Sequence, residues 1–212
     1  MQTRIHSLEP QRRDALLNAA LKEFVTKGFT EASTNSIAKE AGISKGLMFH
    51  YVNNKQDLFF FVYDYFTEIM DKEFFEQMNY NEIDIFERLR QSYLLQLDLL
   101  RKYPWIFELN KLSSSSNPDE IIKELDKRSM DKRMPCIEQV FDSVDESRYR
   151  DGLDIEKCKQ FILWANLGFT NQMLEEIRNC EYDELDYDSI VAKLDDNLQE
   201  LRKIFYKQSE ES

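Results

Sequence analysis

Apolar residues recur every three or four positions along most of the chain, which is the spacing of one face of an α-helix. No stretch alternates apolar and polar residues clearly enough to predict a β-strand. The pattern therefore predicts an all-α fold of about nine helices. Helices are predicted near 10–27, 45–51, 84–102, 155–180 and 189–207, with further helices starting near 34, 55, 104 and 118.

The segment 33–55 predicts two short helices joined by a tight turn. Thr34 is a suitable N-cap for the first helix, and Ser44 is one for the second, which runs from Lys45 to Tyr51. Gly42 ends the first helix because glycine adopts the left-handed conformation at little cost. The three-residue turn favours a helix-turn-helix, whose second helix enters the DNA major groove. The pattern alone leaves open that the two helices belong to an ordinary bundle.

The stretch from residue 19 to residue 59 resembles the N-terminal signature of the TetR family of bacterial transcriptional repressors. The matching residues are Phe24, Gly28 and Phe29, then 34–46, then 49–51, then 54–59. The resemblance implies a DNA-binding domain at 1–54, with a three-helix head. It also implies a larger helical effector-binding and dimerisation domain at 55–212. In this family a small effector releases the dimer from a palindromic operator.

The resemblance also assigns DNA contacts by position in the motif. Two positions depart from the commonest family pattern, since Leu47 and Phe49 each lack a hydroxyl that the family often has. Apolar contact with a thymine methyl becomes an option at Leu47. Met48 is expected to point into the core. The residues expected to contact bases or phosphates are Thr34, Ser44, Lys45, Gly46, Leu47, Phe49, His50, Tyr51 and Lys55.

The net charge of −12 is divided unevenly along the chain. Residues 1–55 hold eight Lys or Arg and five Asp or Glu, a net of +3, so the remaining 157 residues carry −15. The basic N-terminal part can neutralise phosphates, whereas the acidic remainder simply keeps a helical domain solvated. Residues 1–9 are expected to form a disordered arm.

The cysteines and the hydropathy of the chain indicate in which cellular compartment the protein is located. The three cysteines, Cys136, Cys158 and Cys180, are widely spaced and are expected to be buried thiols in a reducing cytoplasm. No apolar run approaches the roughly 18 residues of a membrane span. We therefore expect a cytoplasmic protein that needs neither a membrane nor a metal.

The last two predicted helices are candidates for a homodimer interface. The helix at 155–180 is apolar around much of its circumference, and the helix at 189–207 repeats apolar residues at three- and four-residue steps. In the family these helices pair with their copies, although packing within one subunit would give a similar pattern. The residues expected in the interface are Trp164, Gly168, Leu194, Leu198, Leu201 and Phe205.

The central helices carry aromatic and soft side chains that could line an effector pocket. Plain core packing would use the same residue types, and both interpretations stay open. The composition favours an aromatic or cationic effector. The candidate pocket residues are Tyr93, Gln96, Trp105, Phe107, Met130, Met134, Phe161, Trp164 and Phe169.

Two other functions compete with DNA binding. A helical di-iron enzyme needs Glu-x-x-His pairs, but the residues three before His6 and His50 are Thr3 and Leu47. No catalytic motif or cofactor site is found, so we expect no enzymatic activity and no cofactor. The remaining alternative is a helical protein of the same fold that binds a protein partner. The expected function is that of a ligand-responsive repressor bound to double-stranded operator DNA.

Overall fold

The computed structural model describes residues 5–114, 117–130, 140–179 and 186–208. Within these ranges all regular elements are helical, apart from one antiparallel bridge between Tyr149 and Tyr206. This confirms the predicted fold class. The α-helices are α1 (Pro10–Glu31), α2 (Thr34–Glu40), α3 (Lys45–Tyr51), α4 (Lys55–Ile69), α5 (Ile85–Lys102), α6 (Asp119–Met130), α7 (Ile155–Asn179) and α8 (Tyr187–Phe205).

Shorter helical segments connect several of these helices. A π-helical segment, Met70–Phe74, and a 3-10 turn, Phe75–Gln77, extend α4. A 3-10 helix, Ile106–Ser113, takes the place of the short helix expected after residue 104. Another 3-10 turn, Glu146–Arg148, lies in the segment before α7. No helix in the described ranges is long and apolar enough to cross a membrane.

The described residues form two compact units. The first lies within 1–76 and 98–134, and the second lies within 77–97 and 135–212. Helix α5 contributes to both, because the division falls between residues 97 and 98. The units do not divide at residue 54, so the predicted 1–54 domain remains a proposal about which segment binds DNA.

The first unit has a core rich in aromatic rings. Phe24 and Phe29 both pack edge-on against Phe59, with ring centroids 5.0 and 5.3 Å away. Phe66 packs edge-on against Tyr103 at 5.4 Å. Such pairs add about 0.5–1.5 kcal/mol each beyond the burial of their area. They fix α1 and the residues after α5 against α4.

The expected N-terminal arm is wrong for residues 5–8. Ile5 is fully buried and Leu8 nearly so, and residues 5–7 form a 3-10 turn. The ring of His6 packs edge-on against Phe61 at 5.2 Å. These apolar residues belong to the core of the first unit, and residues 1–4 lie outside the described part of the chain.

The second unit is tied together by buried charge. Asp84 is 3% exposed, and its Oδ2 accepts hydrogen bonds at 2.6 Å from both Arg148 and Arg202. Its Oδ1 accepts from the backbone N–H of Phe86 in the first turn of α5. The carboxylate thus joins the start of α5 to the end of α8. Cys158 is buried as predicted, while Cys136 and Cys180 lie outside the described residues.

Arg88 is a fully buried arginine in α5, and it donates to backbone carbonyls. Its Nε donates to the Glu82 carbonyl at 2.9 Å, and its Nη2 donates to Tyr80 at 2.9 Å and also to Glu82. Its Nη1 donates to Val140 and Asp142, at 2.8 and 2.7 Å. Burial lowers the pKa of the guanidinium from its ordinary value. All five N–H groups have acceptors, which is the condition for burying such a group.

Candidate nucleic-acid interface

Local backbone chemistry shapes the turn between α2 and α3. Gly42 has φ +66°, the left-handed region that glycine adopts most easily. The N–H of Gly42 donates to Lys39 at 3.2 Å, and the N–H of Ile43 donates to Ala38 at 3.0 Å. These two hydrogen bonds form the Schellman motif, which satisfies carbonyls at the end of α2. The predicted helix stop is confirmed.

The N-cap residue of α3 is the one predicted from the sequence, whereas the N-cap residue of α2 is a different one. The Ser44 hydroxyl accepts from the N–H of Leu47 at 3.1 Å, as predicted for the cap of α3. The cap of α2 is Ser33, which accepts from Ser36 at 3.3 Å, rather than Thr34. Thr34 is the first helical residue and is half-buried. Both residues carry the capping hydroxyl, so the sequence did not distinguish them.

Helix α3 presents its N-terminal end to solvent. Ser44, Lys45 and Gly46 are exposed, and Leu47 and Phe49 are half-buried. A Cβ placed on Gly46 would meet no atom of the chain within 4 Å. On the opposite side of the helix, Met48 is fully buried in the core, as predicted. The helix is therefore anchored by one face while three consecutive residues remain accessible to a partner.

The cationic side chain of Lys45 lies along this accessible end. Its Nζ lies 5.9 Å from the centroid of the Phe49 ring. No ion pair in the described part of the chain involves Lys45, whereas Lys22 is paired with Glu40 at 2.7 Å. At the other end of α3, His50 is exposed and its ring lies 5.2 Å from that of Tyr51. Lys45 thus offers an unneutralised charge beside the exposed residues.

Lys55 is held by the protein itself. Its Nζ donates at 3.0 Å to both the Thr30 and the Ala32 carbonyl, and it lies 4.8 Å from the centroid of the Phe29 ring. Two of its three donors are therefore used within the chain. The predicted phosphate contact remains a prediction, but the side chain also connects α4 to the last turn of α1 and to the residue that follows it.

Glu23 is a residue of this region that the sequence analysis missed. It is 6% exposed, and its Oε1 accepts from the backbone N–H of Ser33 at 2.8 Å and from Lys27 at 2.9 Å. It thereby fixes the start of α2 to α1. The sequence contained a signal, because Glu23 follows Leu16 and Ala19 at helical spacing on the apolar stripe.

The expected effector-pocket residues fall into separate groups. Tyr93 is buried, donates to the Asn166 carbonyl at 2.8 Å and accepts from Thr170 at 3.2 Å. Burial raises the pKa of Tyr93 to about 12. The ring of Phe169 lies edge-on at 5.3 Å. Gln96 is buried and donates to Ser92. Tyr93 and Phe169 are thus brought together as part of the core.

The other expected pocket residues lie elsewhere. Phe161 and Trp164 are exposed, with ring centroids 5.7 Å apart. Trp105 and Phe107 are half-buried in the first unit, where Phe107 contacts Phe74 edge-on at 5.9 Å. The side chains of Met130 and Met134 lie outside the described residues.

Two cavities in the second unit are lined by residues that were not predicted. The larger has a volume of about 630 Å³, and its charged side chains pair with one another, as Lys157 does with Asp154. The smaller, of about 300 Å³, contains Arg90, which pairs with Asp195. The lining residues are Phe141, Asp142, Asp154, Glu156, Lys157, Lys159, Gln160 and Leu163 for the larger, and Asn79, Glu82, Glu87, Arg90, Gln91 and Leu94 for the smaller.

The expected dimer residues separate into an exposed and a buried group. Trp164 is 55% exposed, and Gly168 is also exposed, one turn further along α7. Leu201 and Phe205 are half-buried. Leu194 and Leu198 are 0% and 5% exposed, so we assign them to the core of the second unit instead. The apolar stripe of α8 already has a partner within the chain.

Comparison with known proteins relates this geometry to a family. Residues 16–67 match the family model for bacterial regulatory proteins of the tetR family. The HTH-type transcriptional regulator BetI of Agrobacterium fabrum is 43% identical over 51 residues, which are 24% of this chain. The chain thus spans about a quarter of the length of this curated relative, 25%.

Solved structures resemble nearly the whole chain. A TetR family transcriptional regulator from Chloroflexus aurantiacus has a TM-score of 0.57 at 15% identity, covering 96% of this chain and 97% of that one. KstR2, a ketosteroid transcriptional regulator of Mycobacterium tuberculosis, has a TM-score of 0.58 at 16% identity, with 95% and 97% covered.

A third structure, AibR in complex with isovaleryl coenzyme A and operator DNA, has a TM-score of 0.52 at 19% identity, with 87% and 95% covered. At these identities the likeness shows the fold alone. The segment matched in sequence contains most of α1, all of α2 and α3, and all but the last two residues of α4. Residues 16–67 thus carry the sequence signature of the tetR family of bacterial regulatory proteins, and the fold of the chain is similar to that of TetR family regulators.

Proposed function

We propose that this protein is a cytoplasmic transcriptional repressor that binds a palindromic operator as a homodimer and is released by a small molecule. The observation that carries the proposal is the exposed N-terminal end of α3, where Ser44, Lys45 and Gly46 lie on a helix anchored by the buried Met48. A recognition helix enters the major groove with its N-terminal residues toward the bases. Residues 1–54 would form the DNA-binding segment and 55–212 the effector-binding and dimerisation part.

The polar residues around α3 support contacts with the DNA backbone. Thr34 at the start of α2, and His50 and Tyr51 at the end of α3, flank the proposed base-reading residues. Phosphate contacts fix orientation on the duplex, while Leu47 and Phe49 offer apolar surface to base edges. The net charge of +3 over residues 1–55 favours the same polyanionic partner.

Replacing Lys45 by alanine is expected to weaken operator binding and to reduce its salt dependence. Lys45 can reach a phosphate as well as a base edge, and each lost phosphate contact lowers the slope of log K against log salt by about 0.9, so a dimer that loses one contact in each subunit would lose about two. The measurement is fluorescence anisotropy with DNA flanking the gene at several salt concentrations. Lys123→Ala, an exposed lysine of α6, is the matched control and should bind like the unmodified protein.

Two results would contradict this proposal. Salt-insensitive binding, or binding that Lys45→Ala retains in full with an unchanged slope, would show that the exposed end of α3 does not meet DNA. A helical protein that binds another protein through this fold would then be the better interpretation.

The homodimer is supported by an exposed apolar face on α7. Phe161, Trp164 and Gly168 are spaced three and four residues apart, which places them on one side of the helix. Phe161 and Trp164 are 49% and 55% exposed, and a Cβ on Gly168 would meet nothing within 4 Å. A second copy of the helix would cover these rings and approach closely at the glycine.

Replacing Trp164 by aspartate is therefore expected to shift the protein toward monomer. Buried aromatic residues at the centre of an interface contribute about 2 kcal/mol or more, and an unpaired buried charge adds to the cost. Sedimentation velocity at several concentrations measures the change. Ile83→Asp places the same charge on a 46% exposed isoleucine outside α7 and serves as the control. An equal effect of both variants on the monomer–dimer equilibrium would show that α7 is not part of the interface.

The proposed effector is a small aromatic or cationic molecule. KstR2 is a ketosteroid regulator, whereas AibR was solved with isovaleryl coenzyme A, so similar folds accommodate different ligands. The aromatic side chains near α5 and the acidic second part of the chain support an aromatic or cationic effector. A screen for compounds that release the operator would test this.

A further inference from the structure

The segment 28–33 consists of the last turn of α1, which follows a kink at Gly28, and the two residues that join α1 to α2. Gly28 has φ 72° and ψ 173°, which interrupts α1. The Ala32 N–H donates to the Gly28 carbonyl at 3.2 Å, and Ser33 then caps α2. Since α2 begins directly after this segment, a displacement of the segment moves α2 and the recognition helix behind it.

Side chains from three different parts of the chain hold the 28–33 segment. Glu23 of α1 accepts from the N–H of Ser33, and Lys55 of α4 donates to two carbonyls within the segment. Asn117, which precedes α6, accepts from the N–H of Phe29 through its Oδ1 at 2.7 Å. Of the three, only Asn117 comes from outside the helices that carry and flank the recognition motif.

The side chain of Asn117 also makes a hydrogen bond to the 3-10 helix that precedes it in the chain. Its Nδ2 donates to the Leu112 carbonyl at 2.8 Å, near the end of the 3-10 helix Ile106–Ser113. Asn117 is 4% exposed, and its hydrogen bond to Leu112 is shielded from water. Asn117 directly precedes Pro118 at the start of α6, which is the sequence context of a helix cap, but its Oδ1 accepts from Phe29, a residue 88 positions away in the chain.

We propose that Asn117 is a positioning residue that transmits the state of the 3-10 helix to the DNA-binding head, by fixing the 28–33 segment at Phe29. The inference rests on the proposed operator binding. A movement of the 3-10 helix pulls the Leu112 carbonyl, and the amide of Asn117 carries that movement to Phe29. With the bridge cut, α2 and α3 sample more orientations, and the apparent affinity falls by the fraction that remains competent.

The test removes both hydrogen bonds of the bridge in one variant and only the hydrogen bond to Leu112 in the other. Asn117→Ala removes both hydrogen bonds, and Asn117→Asp keeps an acceptor for Phe29 but removes the donor to Leu112. Both variants are expected to bind the operator about three- to tenfold more weakly, with an unchanged salt slope because no phosphate contact is lost. Amide hydrogen exchange at Phe29 should accelerate in Asn117→Ala and remain slow in Asn117→Asp.

Asn18→Ala is the matched control, since it removes another asparagine hydrogen bond of α1. The Asn18 Nδ2 donates to the Lys102 carbonyl at 3.0 Å and touches no part of the 28–33 segment. We expect this variant to keep the affinity of the unmodified protein. Exchange at Ser36 and Leu47, the N–H groups in the caps of α2 and α3, should stay slow in all variants.

Four results would overturn the inference. Unchanged affinity in Asn117→Ala despite faster exchange at Phe29 would show a purely structural contact, and full affinity in Asn117→Asp would show that Leu112 transmits nothing. An equal loss in Asn18→Ala, or rapid exchange at Ser36 and Leu47, would indicate general loosening. If the unmodified protein does not bind operator DNA selectively, the proposed function is wrong, and the inference about Asn117 is then wrong as well.

Discussion

Replacing Arg88 by methionine is expected to lower the free energy of unfolding by about 3–5 kcal/mol. The guanidinium is fully buried, and all five of its N–H groups donate to backbone carbonyls. Methionine fills a similar volume but leaves those carbonyls without donors in the interior. Each buried polar group left unpaired costs about 1–3 kcal/mol.

Urea denaturation followed by circular dichroism measures this effect. The matched control is Arg90→Met, two residues further along the same helix. Arg90 pairs with Asp195 at 2.6 Å, but both side chains are about half exposed, 40% and 45%. Such a pair contributes about 0.2–1 kcal/mol. Equal midpoint shifts for the two variants would mean that water reaches the Arg88 carbonyls in the folded protein.

Replacing Gly46 by valine is expected to reduce operator affinity by about a hundredfold, roughly 3 kcal/mol, while leaving the stability of the free protein unchanged. A glycine at an exposed helical position costs up to about 1 kcal/mol relative to alanine, so the fold gains nothing from it. An added Cβ meets open space in the free protein. In the proposed complex with DNA, the valine side chain would occupy the space that allows the backbone of α3 to come close to the bases.

Gly46→Ala provides a graded step and should give a smaller loss of affinity with equal or higher thermal stability. Gln11→Val is the control for a valine at a surface position of the head, since Gln11 is exposed at the second residue of α1 as Gly46 is of α3. Anisotropy titrations and thermal melts together decide the outcome. Full operator affinity in Gly46→Val would place the DNA on another surface.

Local chemistry explains which features were predictable from the sequence. Gly42, Ser44 and Asn54 end or begin helices through hydrogen bonds to residues at most four positions away. Residue type and spacing are enough to identify such signals. The burial of Met48 followed from helical periodicity in the same way.

Interactions between distant segments could not be predicted in this way. Asn117 has the sequence context of a helix cap, yet its acceptor role is directed at Phe29. Lys55 has the position of a phosphate ligand, yet two of its donors are taken by carbonyls at the end of α1 and directly after it. Leu194 belongs to an apolar stripe, but periodicity does not tell whether its partner is the same chain or a copy.

The hydrogen bonds of Arg88 have a consequence for how this sequence can diverge. Within the described part of the chain, the guanidinium donates hydrogen bonds to main-chain oxygens of residues 80, 82, 140 and 142, which every amino acid supplies. A mutational scan should therefore find position 88 intolerant and these four partner positions comparatively permissive. The segments around residues 80–82 and 140–142 can therefore change sequence during evolution while Arg88 holds their backbones in place.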